Sequence, residues 1–156
     1  MSQTPVLAPI AGRAVALAEV PDPVFAQGMV GYGAAVDPPR QVVDAVAPVS
    51  GKLLKLMPHA YVIMTADNVG VLVHLGLDTV QLNGAGFTAH VAQGDTVTAG
   101  QKMITYDVPA IIAAGFSPIV PVVVMDEREA SNVVVADAVN AGSEIAGSAL
   151  LFTSNK

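Results

Sequence analysis

The feature that most limits the architecture is punctuation. Short runs rich in valine and isoleucine are broken every ten or so residues by proline or glycine, and the chain carries 11 prolines and 14 glycines in 156 residues. Such spacing leaves no room for long amphipathic helices and favours many short strands, because β-branched side chains suit a pleated surface and turn residues end each run. Strands are expected at residues 6–9, 13–16, 42–45, 51–56, 60–65, 69–75, 87–91, 103–106 and 120–124. Val133-Val134-Val135 reads as a further strand, although a helix after Asp126, capped by its carboxylate, competes with it. The charge-free run 108–125 contains Pro109, Gly115, Pro118 and Pro121, so it reads as core crossing several elements, not as a membrane span.

The chain also repeats. Ala8-Pro9-Ile10-Ala11-Gly12-Arg13 returns as Ala47-Pro48-Val49-Ser50-Gly51-Lys52, and each copy reads as a place where one strand ends and turns into the next. A third segment, from Val91 to Gln101, puts glycines where two tight turns flank a short strand. It resembles a segment of biotinyl and lipoyl carrier domains and of other barrel-sandwich hybrids. The expected fold is therefore all-β: an antiparallel β sandwich or barrel-like hybrid with an internally duplicated motif and little helix. One domain over residues 1–156 accommodates it.

Composition narrows the function classes. Lysine and arginine total 7 against 13 acidic residues, a net charge of −6, with no basic run to track a phosphate backbone, so nucleic acid is a poor partner. An acidic surface suits a basic protein partner. The absence of cysteine removes disulfides, thiolate metal sites and a cysteine nucleophile. The amino-terminal residues lack a signal peptide, which points to the cytoplasm without membrane insertion.

Two of the three histidines are related by arithmetic. If residues 61–64 and 69–73 form a hairpin around 65–68, paired positions have a constant sum. A turn centred between Ala66 and Asp67 gives 133, which makes His59 and His74 direct neighbours. A turn on Asp67-Asn68 makes them diagonal neighbours on the same face. Two facing imidazoles repel when both are charged, so at least one stays neutral with a nucleophilic nitrogen. Gly76 leaves room beside the His74 ring, and Leu72 and Leu75 supply an apolar setting that limits attack by water. The alternatives are a pair of structural histidines, each bonded to backbone, or a zinc site that lacks its third and fourth ligands. His90 lies in another strand and reads as a surface or edge residue.

Leu72-Val73-His74-Leu75-Gly76-Leu77-Asp78-Thr79-Val80 resembles the phosphorylation-site signature of the glucose-type IIA domain of the bacterial sugar phosphotransferase system. Accompanying segments are similar too: Ala8-Pro9-Ile10-Ala11-Gly12, Val20-Pro21-Asp22-Pro23-Val24-Phe25, Gly28-Met29-Val30-Gly31-Tyr32-Gly33 and Ala47-Pro48-Val49-Ser50-Gly51. The likeness spans about residues 6–152. It implies a phosphotransferase component in sugar uptake that forms a phosphohistidine. In it His74 accepts a phosphoryl group from phospho-HPr and passes it to the IIB domain of a membrane sugar permease, with no metal or cofactor. His59 would contact the phosphoryl group, and Asp22 and Asp78 would border the site. Val24 and Phe25 would belong to an exposed apolar ring that docks both partners, and Leu72, Gly76 and Thr79 would complete the border. The same face would serve any regulatory protein targets. Two departures stand out: Leu56-Met57-Pro58 is short and lacks the threonine that commonly supports the second histidine, and Asn68 replaces a glycine. The rival functions are a biotinyl- or lipoyl-like carrier, which needs a lysine at a hairpin tip that Lys52, Lys55, Lys102 and Lys156 do not offer, and a zinc-binding hydrolase on a related scaffold.

Overall fold

The computed structural model describes residues 3–155. Strands β1 (Thr4–Leu7) and β2 (Gly12–Ala16) precede a one-turn helix, α1 (Pro23–Ala26), and β3 (Gly31–Asp37). Next come β4 (Val42–Val46), β5 (Gly51–Met57), β6 (Ala60–Met64), β7 (Gly70–His74), β8 (Phe87–Ala89), β9 (Thr96–Val97) and β10 (Lys102–Asp107). Helix α2 (Val108–Ala113), β11 (Val120–Met125), β12 (Val133–Val135), helix α3 (Asp137–Ala141), β13 (Glu144–Ile145) and β14 (Leu150–Ser154) follow.

The strands form one eight-stranded sheet, in the order β13-β2-β3-β11-β7-β6-β5-β9, and two three-stranded sheets, β1-β14-β12 and β4-β10-β8. Every paired strand runs antiparallel to its neighbour. A single buried cluster draws Val6, Leu151 and Phe152 from one small sheet, Ala45, Ile104 and Tyr106 from the other, and Ile63, Val71, Val73 and Val122 from the large one. The result is an antiparallel sandwich whose layers share one apolar interior.

The duplication is structural. The order of the large sheet reads the same from either end about the central β11–β7 pair, where Val122 faces Val73. The two motif copies are tied together symmetrically, the residue just before each donating to the proline of the other: Leu7 N–H to Pro48 O at 2.9 Å and Val46 N–H to Pro9 O at 2.8 Å. Gly12 then opens β2 and Gly51 opens β5, each so close to a partner-strand carbonyl, of Asp37 or Met64, that a Cβ has no room. A second repeat accompanies them: Gly94-Asp95-Thr96-Val97 and Gly142-Ser143-Glu144-Ile145 supply β9 and β13, which pair Val97 with Gly51 and Ile145 with Gly12.

The halves differ in one connection, and that difference builds the site. β5 turns into β6 directly through Pro58 and His59, whereas β2 reaches β3 through residues 17–30. This longer segment lays Leu17, Val20 and Phe25 over the outer face of the large sheet, against Val15, Ala35, Val62, Leu72 and Val123.

Some expectations are corrected. β3, β13 and β14 were not anticipated, nor were the three short helices. No helix starts at Asp126, which has φ of 62° and opens a turn that leads into β12. The 108–125 run does cross several elements, α2, a connection and β11, but it is not core throughout: only Val108 and Ile111 of α2 are buried, and the turn after it is exposed.

Candidate functional site

The β6–β7 hairpin sets the position of His74. Thr65 and Val69 close the loop, with Thr65 N–H donating to Val69 O at 3.0 Å and Asn68 N–H to Thr65 O at 3.0 Å. Asn68 adopts φ of 63°, so three loop residues end in a left-handed position that asparagine tolerates better than most. Paired positions therefore sum to 134, and His74 faces Ala60, not His59. The expected register was off by one residue, which in continuous strands would send the two histidines to opposite faces. They meet nonetheless, because His59 stands in the β5–β6 turn, where strand alternation has ended. Leu75 N–H bonds His59 O at 2.7 Å, extending the ladder one rung, while the imidazole swings to the outer face. The ring centroids of His59 and His74 lie 5.0 Å apart, edge to face.

His74 is held by the backbone just beyond its own strand. Its Nδ1 bonds the Gly76 carbonyl at 2.6 Å. A carbonyl only accepts, so Nδ1 carries the proton and Nε2 keeps its lone pair. Gly76 has φ of +86°, and a Cβ there would lie 2.6 Å from Thr79 Cγ2 and 3.0 Å from Ser117 O. The missing side chain thus makes room on the core side, not beside the ring as expected. Gly76 N–H donates to Ile119 O (3.1 Å), Leu77 N–H to Ser117 O (3.0 Å) and Thr79 Oγ1 to Leu75 O (2.8 Å).

Burial is the main force on both imidazoles. It lowers the His74 pKa, partly offset by the Gly76 hydrogen bond and by the Asp22 and Asp78 carboxylates. It lowers that of His59 too, with repulsion from His74 acting in the same direction. Both shifts favour the neutral form of the rings at pH 7. Asp22 caps α1 by accepting from Val24 N–H at 2.9 Å, and Asp78 is exposed beyond the strand end.

The remaining residues divide by depth. Val24 is exposed, and so is Val80, which the sequence reading did not single out. Phe25 is buried with its ring 5.3 Å from that of His74, so the expectation of an exposed Phe25 is corrected: it packs on the imidazole. Leu72 and Leu75 are buried as well, and Thr79 is entirely so; they carry the site from beneath. His90 is exposed, its Nε2 2.6 Å from Thr105 Oγ1, away from the other two. Two aromatic residues went unnoticed in the sequence. Phe87 meets His59 at 6.5 Å, and Tyr106 stacks on Phe87 at 5.5 Å. Both sit in strands whose alternation alone reads as ordinary core.

For the rival functions, Lys52 and Lys55 lie within β5 and Lys102 opens β10, away from any hairpin tip, while Lys156 falls outside the described residues. Among the described residues no group of three or more histidine, aspartate or glutamate side chains is arranged to hold a metal ion.

Comparison with known proteins agrees with this geometry. The family profile described as "phosphoenolpyruvate-dependent sugar phosphotransferase system, EIIA 1" matches residues 4–130. The glucose-specific EIIA component of Oceanobacillus iheyensis is 42% identical over 137 residues, covering 85% of this chain and 82% of its own length. A mannose-specific EIIBCA component of Corynebacterium glutamicum is 38% identical over 142 residues, 90% of this chain but 21% of that longer protein. The solved structure of glucose permease IIA from Mycoplasma capricolum superposes with a TM-score of 0.85 at 34% identity, over 98% of this chain and 96% of that one.

Proposed function

The chain belongs to the EIIA 1 family of the phosphoenolpyruvate-dependent sugar phosphotransferase system, whose members relay phosphoryl groups in sugar uptake, and from that premise we propose that its own acceptor is Nε2 of His74. The observation that carries the assignment is the 2.6 Å bond from His74 Nδ1 to the Gly76 carbonyl, which leaves Nε2 unprotonated. Its lone pair attacks phosphorus in line, the nitrogen–phosphorus bond of the donor breaks, and the electron pair returns to the donor nitrogen. The phosphorylated ring retains its Nδ1 proton, and the cation so formed is stabilised by the Gly76 carbonyl and the Asp22 and Asp78 carboxylates. His59, 5.0 Å away, donates a hydrogen bond to the transferred group.

The donor in this reading is phospho-HPr and the acceptor a IIB domain, with the chain working in the cytoplasm as one IIA domain. Fusion of similar sequences to IIB and IIC domains, as the name of the Corynebacterium relative states, supports the IIB partner. Relatives named for glucose and for mannose both match, as expected of a domain that handles phosphate and never touches sugar.

The test uses two variants in a reconstituted relay. His74→Ala is expected to take no phosphoryl group from phospho-HPr, whereas His59→Gln accepts it and delivers it poorly to IIB. Full labelling of His74→Ala would refute the assignment.

A further inference from the structure

We propose that Tyr106 is a positioning residue for the relay, holding both histidines from inside the core through its hydroxyl on one side and its ring on the other. The inference rests on the reading of His74 and His59 given above.

The hydroxyl arm leads to His74. Tyr106 is fully buried, and burial raises its pKa far above neutrality, so the phenol keeps its proton and donates. It does so to Pro118 O at 2.8 Å, and proline offers no amide in return. The residues on either side of Pro118, Ser117 and Ile119, are the two whose carbonyls hold Leu77 and Gly76. The same hydroxyl oxygen lies 3.1 Å from the point where a Gly76 Cβ would stand. One O–H group thus fixes the segment that aims the Gly76 carbonyl at His74 Nδ1, and fills the space the glycine leaves. The ring arm leads to His59. Tyr106 and Phe87 stack with centroids 5.5 Å apart and planes 12° from parallel, and Phe87 meets the His59 ring at 62°.

The two arms separate by substitution. Tyr106→Phe keeps the stack and deletes the hydroxyl; Phe87→Leu keeps the hydroxyl bond and deletes the stack. Nitrogen-15 NMR of the imidazoles reads the His74 tautomer in the unphosphorylated chain, so it tests the proposal whether or not the relay reading stands. Tyr106→Phe is expected to shift His74 from pure Nδ1–H towards a mixture containing Nε2–H, with the His59 signals unmoved. Loss of one such hydrogen bond corresponds to about a fivefold slower single-turnover acceptance from phospho-HPr. Phe87→Leu is expected to move the His59 signals and slow delivery to IIB, with His74 still in its Nδ1–H tautomer. If both variants melt at lower temperature but keep wild-type imidazole signals and transfer rates, Tyr106 is packing only and the proposal is overturned. If instead the wild-type chain is not labelled at His74 while Tyr106→Phe still shifts its tautomer, the relay reading fails and the positioning role stands.

Discussion

Gly76→Ala isolates the backbone feature on which the acceptor depends. At φ of +86° an alanine is strained, and its Cβ would lie 2.6 Å from Thr79 Cγ2, 3.0 Å from Ser117 O and 3.1 Å from Tyr106 Oη. Thr79 is fully buried with its hydroxyl committed to Leu75 O, so it has no free rotamer into which to retreat. Positive φ costs an L-residue ~1–2 kcal/mol, and one methyl forced into a filled site costs ~1–3 kcal/mol. A loss of about 3 kcal/mol in a chain of this length lowers the melting temperature by roughly 6–12 °C. The carbonyl that orients His74 moves with the strained residue, so acceptance from phospho-HPr falls further than stability alone explains. Thermal denaturation by circular dichroism reads the first effect. Single-turnover labelling at 20 °C below the variant's midpoint reads the second. A variant that melts within a degree of wild type and labels at the wild-type rate would refute the argument that Gly76 is required where it stands.

Other consequences follow from burial and charge. Because His59 and His74 have folded pKa values below the ordinary 6.5, the unfolded chain binds more protons than the folded one as pH falls. Their contribution to stability is complete above about 6.5 and is lost as pH drops from there through the folded values; urea midpoints measured across that window decline in the wild type and flatten in a His59→Gln, His74→Gln double variant. Asp22→Asn keeps a side chain able to cap α1 but removes a charge that favours protonated His74, so NMR titration is expected to find the His74 pKa lower still. Val24 is exposed at 45%, and Val24→Gln is expected to change stability by less than about 0.5 kcal/mol while raising KM for phospho-HPr at constant kcat.

The strands were legible where valine and isoleucine carry them and obscure where they do not. β3 begins Gly31-Tyr32-Gly33-Ala34-Ala35, where the two glycines let the β11 backbone approach closely, and apart from Tyr32 these small residues lack the β-branched and aromatic bulk that marks a central strand. β7 and β11 were found because Val71, Val73, Val122 and Val124 fill the interior at the sheet's centre. The first repeat was visible as residues, whereas the second shares only Gly94 with Gly142 and Val97 with Ile145 among exchangeable neighbours, and it surfaced through pairing. The histidine pair was foreseen by an arithmetic that missed the loop type: Asn68 in the left-handed region makes the sum even. What rescued the contact was the place of His59 in a turn, which a strand-parity argument does not address. Phe25 was expected at the surface, and its burial against His74 depends on how residues 17–30 fold back, a long-range fact that local pattern does not encode.

The most direct test of the account is to phosphorylate the intact chain with phosphoenolpyruvate, enzyme I and HPr, and to locate the acid-labile phosphate by phosphorus-31 and nitrogen-15 NMR. The account predicts one phosphoryl group on Nε2 of His74, with Nδ1 still protonated against the Gly76 carbonyl. Phosphate on Nδ1, on His59 or His90, or no labelling at all would contradict it.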